Sequence, residues 1–572
     1  MTERRGPRAW RTRYAHPCAW EQTFPPLAMT EMFARSVAAH ADRPLLDFFG
    51  RIYHYRDIWT EARAFAAGLQ RDGLGAGDRI GLFLPNVPIY LSAYFGAMMA
   101  GATVVNFSPL YTAAELEAQI ADSGTRLMVT LDVPALLPTA VEVLRDSGLE
   151  RLVVASLSKQ LPHWQGIAYR LFRRGEIAAV PDDPAIRDWP RMLGDPEACR
   201  TVAVADPETA VALLQYTGGT TGAPKGAMLS HQNLTVNARQ ILAADPHRGE
   251  RDVMLGALPF FHVFANACVL NRTVLDGGCI AMLPRFRAGQ ALKTIARTRV
   301  TTLPGVPTMY QALLDDPAFA GTDFSSLRTC ISGGAPLSLP LKQEFEARSG
   351  AHLMEGYGLT ETSGVASANP FYAEGRAGTI GHPFPATDMR LLDRDDPTRD
   401  AAPDEAGELA VAGPQIMLGY WNRPDAATSC FVEREGTRWL RTGDIATIDA
   451  DGWVRIVDRS KDMIAVGGFK VFPSQIEHVL VGHPAVKEAL VIGVPDRYHG
   501  EIPRAFVSLQ DVSLEADMQV SGEELRDWLN PRLGKHERVD RVVIRDALPK
   551  TMVGKLDRKA LRAQIATPQI VP

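Results

Sequence analysis

The sequence predicts an α/β protein, with a large N-terminal domain of layered sheets (1–459) and a small α+β C-terminal domain (460–572). Three observations predict it. The chain has 572 residues, and a single core rarely grows beyond about 250–300 residues, so two or more domains are expected. Helical patterns alternate with short β-branched runs along most of the chain, which is how largely parallel sheets with crossover helices read. From Asp451 onward the texture changes to short strands with interspersed helices.

In chain order, Ala62–Gln70 reads as a helix, Arg79–Leu84 as a strand, Ile89–Met99 as a helix and Ala102–Asn106 as a strand. Gly101 reads as the break between the last two. Arg126–Thr130 and Arg151–Val154 read as further strands. Ser158–Asp188 departs from this rhythm and mixes Trp164, Tyr169, Leu171 and Phe172 with Arg170, Arg173 and Arg174. It reads as an irregular surface excursion or as a short amphipathic element at a membrane surface. In the C-terminal unit, Trp453–Val457 and Met463–Val466 read as strands, and Pro473 sits where a first helical turn tolerates it. Ile476, Val479 and Leu480 make an apolar stripe at helical spacing. Ala489–Val494 and Arg504–Leu509 read as strands, Glu523–Leu533 as a helix and Arg541–Ile544 as a last strand.

Hydrophobic residues make up 46% and charged residues 22%, the balance of an ordinary globular protein. A net charge of −5 gives no reason to expect a nucleic acid partner. Six cysteines are widely scattered (Cys18, Cys199, Cys268, Cys279, Cys330, Cys430), which suits a reducing, cytoplasmic setting. Arg4, Arg5, Arg8, Arg11 and Arg13 are not followed by an apolar segment, so no secretory signal is read there. The segment is expected to be a solvated tail or a weak contact to an anionic membrane. Ile89–Val105 is the most apolar window, but Ser92, Gly96, Gly101 and Thr103 interrupt it, and it is too short for a membrane span.

The chemistry begins at an apolar strand, Val211–Tyr216, that runs into Thr217-Gly218-Gly219-Thr220-Thr221-Gly222-Ala223-Pro224-Lys225-Gly226. Glycines let a backbone turn its N–H groups toward an anion. The threonine hydroxyls add donors and Lys225 adds charge, which together suit a polyphosphate. The spacing differs from that of the common GxxxxGK[ST] loop, so kinases and GTPases of that class are excluded. Tyr216–Gly226 resembles the signature of the adenylate-forming superfamily, which includes acyl-CoA synthetases, peptide-synthetase adenylation domains and luciferases. The resemblance runs from about Phe33 to Leu561. Asn106–Glu115, Leu258–Phe264, Glu355–Thr362 and Gly413–Pro424 resemble bacterial long-chain fatty acid–CoA ligases in particular.

The resemblance implies a β-barrel-like subdomain in the large domain and a mobile small domain. It implies ATP, Mg²⁺ and coenzyme A as reactants or cofactor, and relatives that are often dimers. Gly333, Gly334, Ala335 and Pro336 would pack backbone against the adenine. Within Glu355-Gly356-Tyr357-Gly358-Leu359-Thr360-Glu361, Tyr357 can offer its ring to the purine. Thr360 can hydrogen-bond the α-phosphate, and Glu361 is an oxygen ligand suited to Mg²⁺. Asp444 would hold the ribose hydroxyls, with Arg459 as a second ribose or phosphate contact. Lys555 would bridge the substrate carboxylate and α-phosphate and offset their charge. His262 would position the acyl carboxylate.

Lys461 matches the hinge, and rotation about it would bring Gly467-Gly468-Phe469-Lys470 to the site. Leu258–Leu270, with Phe264 and Asn266, and Thr302–Tyr310, with Gly305, are apolar enough to line an acyl channel. Ala465 and Lys470 differ from hydroxycinnamate-type ligases. Asn266, Ala267 and Cys268 lack the tryptophan gate of some thermophilic fatty-acid ligases. A long- or medium-chain fatty acid is the expected substrate, with transfer to a carrier protein, or a dicarboxylic or aryl acid, as the alternatives. A peripheral location at the inner membrane face is compatible with such a substrate.

Overall fold

The computed structural model describes residues 8–217, 224–372, 374–402, 405–459, 461–467, 469–510, 520–551 and 555–566. Among the described residues four sheets organise the chain. The first runs in the spatial order 419–420, 225–230, 211–217, 103–106, 79–82, 125–131, 151–155, 186–188. All neighbours from 211–217 onward are parallel. The second sheet has a parallel centre built from Thr329–Ser332, Thr302–Gly305, Val253–Gly256 and Cys279–Met282. Parallel strands must be buried on both faces, and these are: Thr329–Ser332, Thr302–Gly305 and Cys279–Met282 are buried along their whole length. One continuous apolar core spans both sheets and their crossover helices.

The helices follow the sequence pattern. Pro88–Met99 carries proline in its first turn and is buried on every side, which is why its composition reads like a membrane segment. The break after it is real: Gly101 adopts φ +87°. No helix among the described residues is long and apolar enough to cross a membrane.

The expected barrel-like subdomain is an antiparallel sheet of Asp388–Leu392, Gly407–Ala412, Thr437–Ile448, Phe431–Arg434 and Val454–Arg459. Thr437–Ile448 pairs with Phe431–Arg434 through its first half and with Val454–Arg459 through its second. Between the halves lies Gly443 at φ +72°, a conformation glycine adopts without steric cost. The turn there sets Asp444 opposite Arg459.

The sheet of the small domain contains Ile464–Val466, Phe469–Val471, Val486–Asp496, Gly500–Leu509 and Val542–Ile544. Helices Pro473–Val481, Gly522–Leu529 and Arg558–Ala566 belong to the same unit, and it has apolar clusters of its own. This is the layout of a large N-terminal and a small C-terminal domain.

Two expectations are corrected. The described part of the basic N-terminal segment is docked, not solvated; Arg4 and Arg5 lie outside the described residues. Trp10 is fully buried against the antiparallel sheet. Arg8 pairs with Asp388 at 2.5 Å and Arg13 with Asp451 at 3.1 Å, while Arg11 lies over the Trp20 ring. The tail has partners because its aromatic residues give it apolar area to bury. The irregular Ser158–Asp188 stretch contains a regular helix, His163–Phe172. Its apolar residues Trp164, Ile167, Leu171 and Phe172 are exposed, which agrees with the alternative of a short amphipathic element.

Candidate active site

The site lies where the C-terminal ends of the second sheet meet the antiparallel subdomain and the small domain. The strand Thr329–Ser332 ends in the Gly333–Pro336 turn. Gly333 N–H donates to Gly305 O at 3.1 Å, which ties two neighbouring strand ends together. A Cβ on Gly333 would come within 3.0 Å of the Phe264 ring, and one on Gly334 within 2.7 Å of Lys555 Cε. Gly334 also adopts φ +81°. The lysine of the small domain therefore lies across a bare backbone turn of the large one.

Beside this turn, His352–Tyr357 delivers Glu355 and Tyr357. Tyr357 Oη donates to Asp444 Oδ2 at 2.5 Å, and Arg459 Nε lies 3.2 Å from Asp444 Oδ1. These three form one linked set, although Tyr357 and Asp444 are 87 positions apart. The chain then turns sharply. A Cβ on Gly358 would overlap Gly364 O at 1.9 Å, so only glycine permits the crossing. Thr360 and Glu361 sit on the short 3₁₀ turn that results.

Glu361 has a partner that sequence reasoning missed. Tyr420 Oη donates to Glu361 Oε1 at 2.6 Å. Lys225 Nζ lies over the Tyr420 ring, 5.1 Å from its centre, within cation–π range. Tyr420 is placed by the two-residue strand Gly419–Tyr420, which pairs with Ala227 and Met228 just after Lys225. The Gly413–Pro424 run held the signal, but a tyrosine in it is equally readable as packing.

Charge and burial set the protonation states. Burial pushes Lys555 down to about 8, with Arg459 adding to the shift and Asp444 opposing it. His262 is pushed down to about 3 by burial and by the charge of Lys555, so it is neutral near pH 7. Its Nδ1 accepts from Phe264 N–H at 3.3 Å, which leaves the proton on Nε2. Burial pushes Glu355 up to about 8, opposed by a backbone hydrogen bond from Leu337 and the charge of Arg455. Lys461 is shifted down by burial and by Arg459, while Asp462, Asp444 and Glu361 oppose the shift.

Several other residues expected at the site have contacts of their own. Asn266 is fully buried and accepts from Asn271 Nδ2 at 2.8 Å and from Tyr94 Oη at 3.4 Å, within a π-helical turn covering Asn266–Asn271. Gly305 packs under the Tyr310 ring. Gly467 N–H donates to His499 O at 2.8 Å inside the small domain. Thr217 ends its strand opposite Lys225. Gly218, Gly219, Thr220, Thr221, Gly222 and Gly468 lie outside the described residues, as do the side chains of Phe469 and Lys470.

The donor set suits a nucleotide. It offers an acid–base pair for a diol, an exposed lysine beside a glycine-rich segment, and one carboxylate. Among the described residues no cluster of three or more His, Cys, Asp or Glu could hold a metal alone. A lone Glu361 fits Mg²⁺ that is held mainly by phosphate oxygens and water.

Comparison with known proteins agrees with this reading. Residues 33–421 match the family described as AMP-binding enzyme, and residues 475–555 match its C-terminal domain. A long-chain-fatty-acid–CoA ligase of Bacillus subtilis is 38% identical over 96% of this chain and 97% of its own length. A feruloyl-CoA synthase of an Amycolatopsis species is 35% identical over 90% of this chain and 94% of its own. The crystal structure of ATP-bound MatB from Rhodopseudomonas palustris is 27% identical and superposes with a TM-score of 0.79, covering 94% of this chain and 99% of that one.

Proposed function

Because the chain belongs to the family of AMP-binding enzymes, we propose that it is an AMP-forming fatty acid–CoA ligase, activating a long- or medium-chain acid with ATP and passing the acyl group to coenzyme A. The observation that carries the reading is the contact of Lys555 with Gly334 in the cleft that also holds Tyr357, Asp444 and Glu361. A carboxylate is a poor electrophile, and an AMP leaving group corrects that. In the first step a carboxylate oxygen bonds to the α-phosphorus and the bond to pyrophosphate breaks. Lys555 faces both anions and offsets their charge; Lys225 does the same at the departing phosphates, so catalysis is positioning plus electrostatics. His262, neutral and carrying its proton on Nε2, orients the acid by donating to the carboxylate. Asp444 accepts from the ribose hydroxyls, and Thr360 donates to the α-phosphate. Glu361 would hold Mg²⁺, which when bound neutralises phosphate charge.

In the second step the coenzyme A sulfur bonds to the acyl carbon, AMP leaves, and the thiol proton passes to solvent. Lys555, lying against Gly334, would stand in the way of that approach. Rotation of 460–572 against 1–459 about Lys461 withdraws it and presents Gly467–Lys470. Support for the hinge is that the large domain's last strand ends at Arg459 and the small domain's first begins at Ile464. A fatty acid is favoured by the 38% identical ligase, and an aryl acid is the second reading because of the feruloyl-CoA synthase. A panel of acids from short to long chain, with dicarboxylic and aryl members, tests this by AMP release dependent on coenzyme A. Turnover confined to aryl acids would replace the first reading with the second. Adenylate accumulating unchanged in the presence of coenzyme A would overturn both.

A further inference from the structure

The His163–Phe172 helix is built inside out. Its inward contacts are small and polar: a Cβ on Gly166 would come within 2.3 Å of Ser158 O, so the helix lies on the backbone of the Leu157–Lys159 turn. Gln165 donates to Phe49 O at 3.5 Å. The apolar residues point the other way. Trp164 is 70% exposed, Ile167 41%, Leu171 55% and Phe172 83%. The first three recur at i, i+3 and i+7, which makes one helical face. Water-exposed apolar side chains clustered this way mark an interaction surface.

Charge says what covers it. From Ser156 to Gly175 the sequence has Lys159, Arg170, Arg173 and Arg174 and no acid. Arg51 adds a fifth cation at the same place, where its guanidinium donates to the carbonyls of Lys159 (2.5 Å) and Leu161 (3.2 Å). Arg173 is neutralised by Glu176 at 2.6 Å; the remaining cations still exceed acids. Tryptophan and aliphatic residues flanked by arginine suit the boundary of a bilayer that carries anionic headgroups. The other basic segment, Arg8–Arg13, is spent on Asp388, Asp451 and Trp20.

We propose that the His163–Phe172 helix docks this protein on an anionic phospholipid surface, with Trp164, Ile167, Leu171 and Phe172 inserted among the acyl chains and the arginines at the headgroups. The proposal goes beyond the ligase reading and is tested without it. Full-length protein is sedimented with phosphatidylcholine vesicles, with and without phosphatidylglycerol. Binding is expected on the anionic vesicles, weakened by salt, and reduced at least about tenfold by Arg170→Glu with Arg174→Glu and likewise by Trp164→Ser with Phe172→Ser. These residues are outside the core, so a melting temperature unchanged from wild type serves as the folding control. Failure of wild-type protein to bind, equal binding to neutral vesicles, or variants that bind as wild type would each overturn it. So would a wild-type dimer that the Trp164→Ser, Phe172→Ser variant dissociates, since the face would then belong to a second copy.

Discussion

Tyr420 Oη donates to Glu361 Oε1 at 2.6 Å while its ring lies under Lys225. One side chain thus fixes the carboxylate proposed for Mg²⁺ and the lysine proposed for the departing phosphates. Tyr420→Phe keeps the ring and removes the hydroxyl. A hydrogen bond to a charged group contributes about 1.5–3 kcal/mol, so the Mg²⁺ concentration for half-maximal adenylation should rise about tenfold or more. KM for the acid should stay near wild type. An unchanged Mg²⁺ dependence would show that Tyr420 only packs.

Gly334 is the position where a single methyl group should separate the two half-reactions. Its Cβ would sit 2.7 Å from Lys555 Cε, at a φ of +81° that disfavours any side chain. Gly334→Ala should push Lys555 out of the cleft and lower pyrophosphate exchange about a hundredfold, with electrostatic stabilisation lost as in other sites of this kind. Thioester formation from supplied acyl-AMP should persist, because the proposed cycle withdraws Lys555 for that step. Lys555→Ala should show the same split. Equal loss of both half-reactions in Lys555→Ala would count against alternation of the small domain.

How much of this was readable beforehand depends on distance along the chain. Helix Pro88–Met99 and strands such as Thr103–Asn106 were legible because their signal is local periodicity. The segments proposed to carry the chemistry stood out through their resemblance to the adenylate-forming superfamily, although residues 218–222 lie outside the described residues. The Tyr357–Asp444–Arg459 linkage was not, because register across the Gly443 turn is a tertiary fact. Tyr420 was missed because a tyrosine that bridges two charges looks like any packed tyrosine. Asn266 sits on a π-helical turn, which no periodicity announces. The docked N-terminal segment was misread because charge density was weighed above Trp10, Tyr14 and Trp20.

The site should also respond to pH near 8. Lys555 is depressed to about 8, so it is cationic below that value and neutral above it. Glu355 is raised to about 8, so it is neutral below and anionic above. Both changes make the cleft more negative as pH rises, which opposes binding of ATP. The ratio kcat/KM for ATP, which reports the free enzyme, should fall as pH rises through about 8. Lys555→Arg keeps its charge across this range and should remove one part of the fall; Glu355→Gln should remove the other. A flat wild-type profile from about pH 7 to about 9 would contradict both assignments.

Trp10 offers the last test, on stability. It is fully buried in the cluster with Ile380, Met389, Leu409, Val411 and Val454, on the same sheet that presents Asp444 and Arg459. A Cβ on Gly452 would reach 2.4 Å from Trp10 N, so segment and sheet are in direct backbone contact. Trp10→Ala should cost about 3–5 kcal/mol, the usual range for removing a buried aromatic side chain, and lower the apparent Tm of the large domain. Trp10→Phe should cost far less, because the indole Nε1 is buried without a hydrogen-bond partner and its removal relieves an unpaired donor. Weaker ATP binding should accompany the alanine variant only, since loosening this sheet displaces Asp444. If both variants melt like wild type, the N-terminal segment contributes nothing to the fold and its burial is incidental.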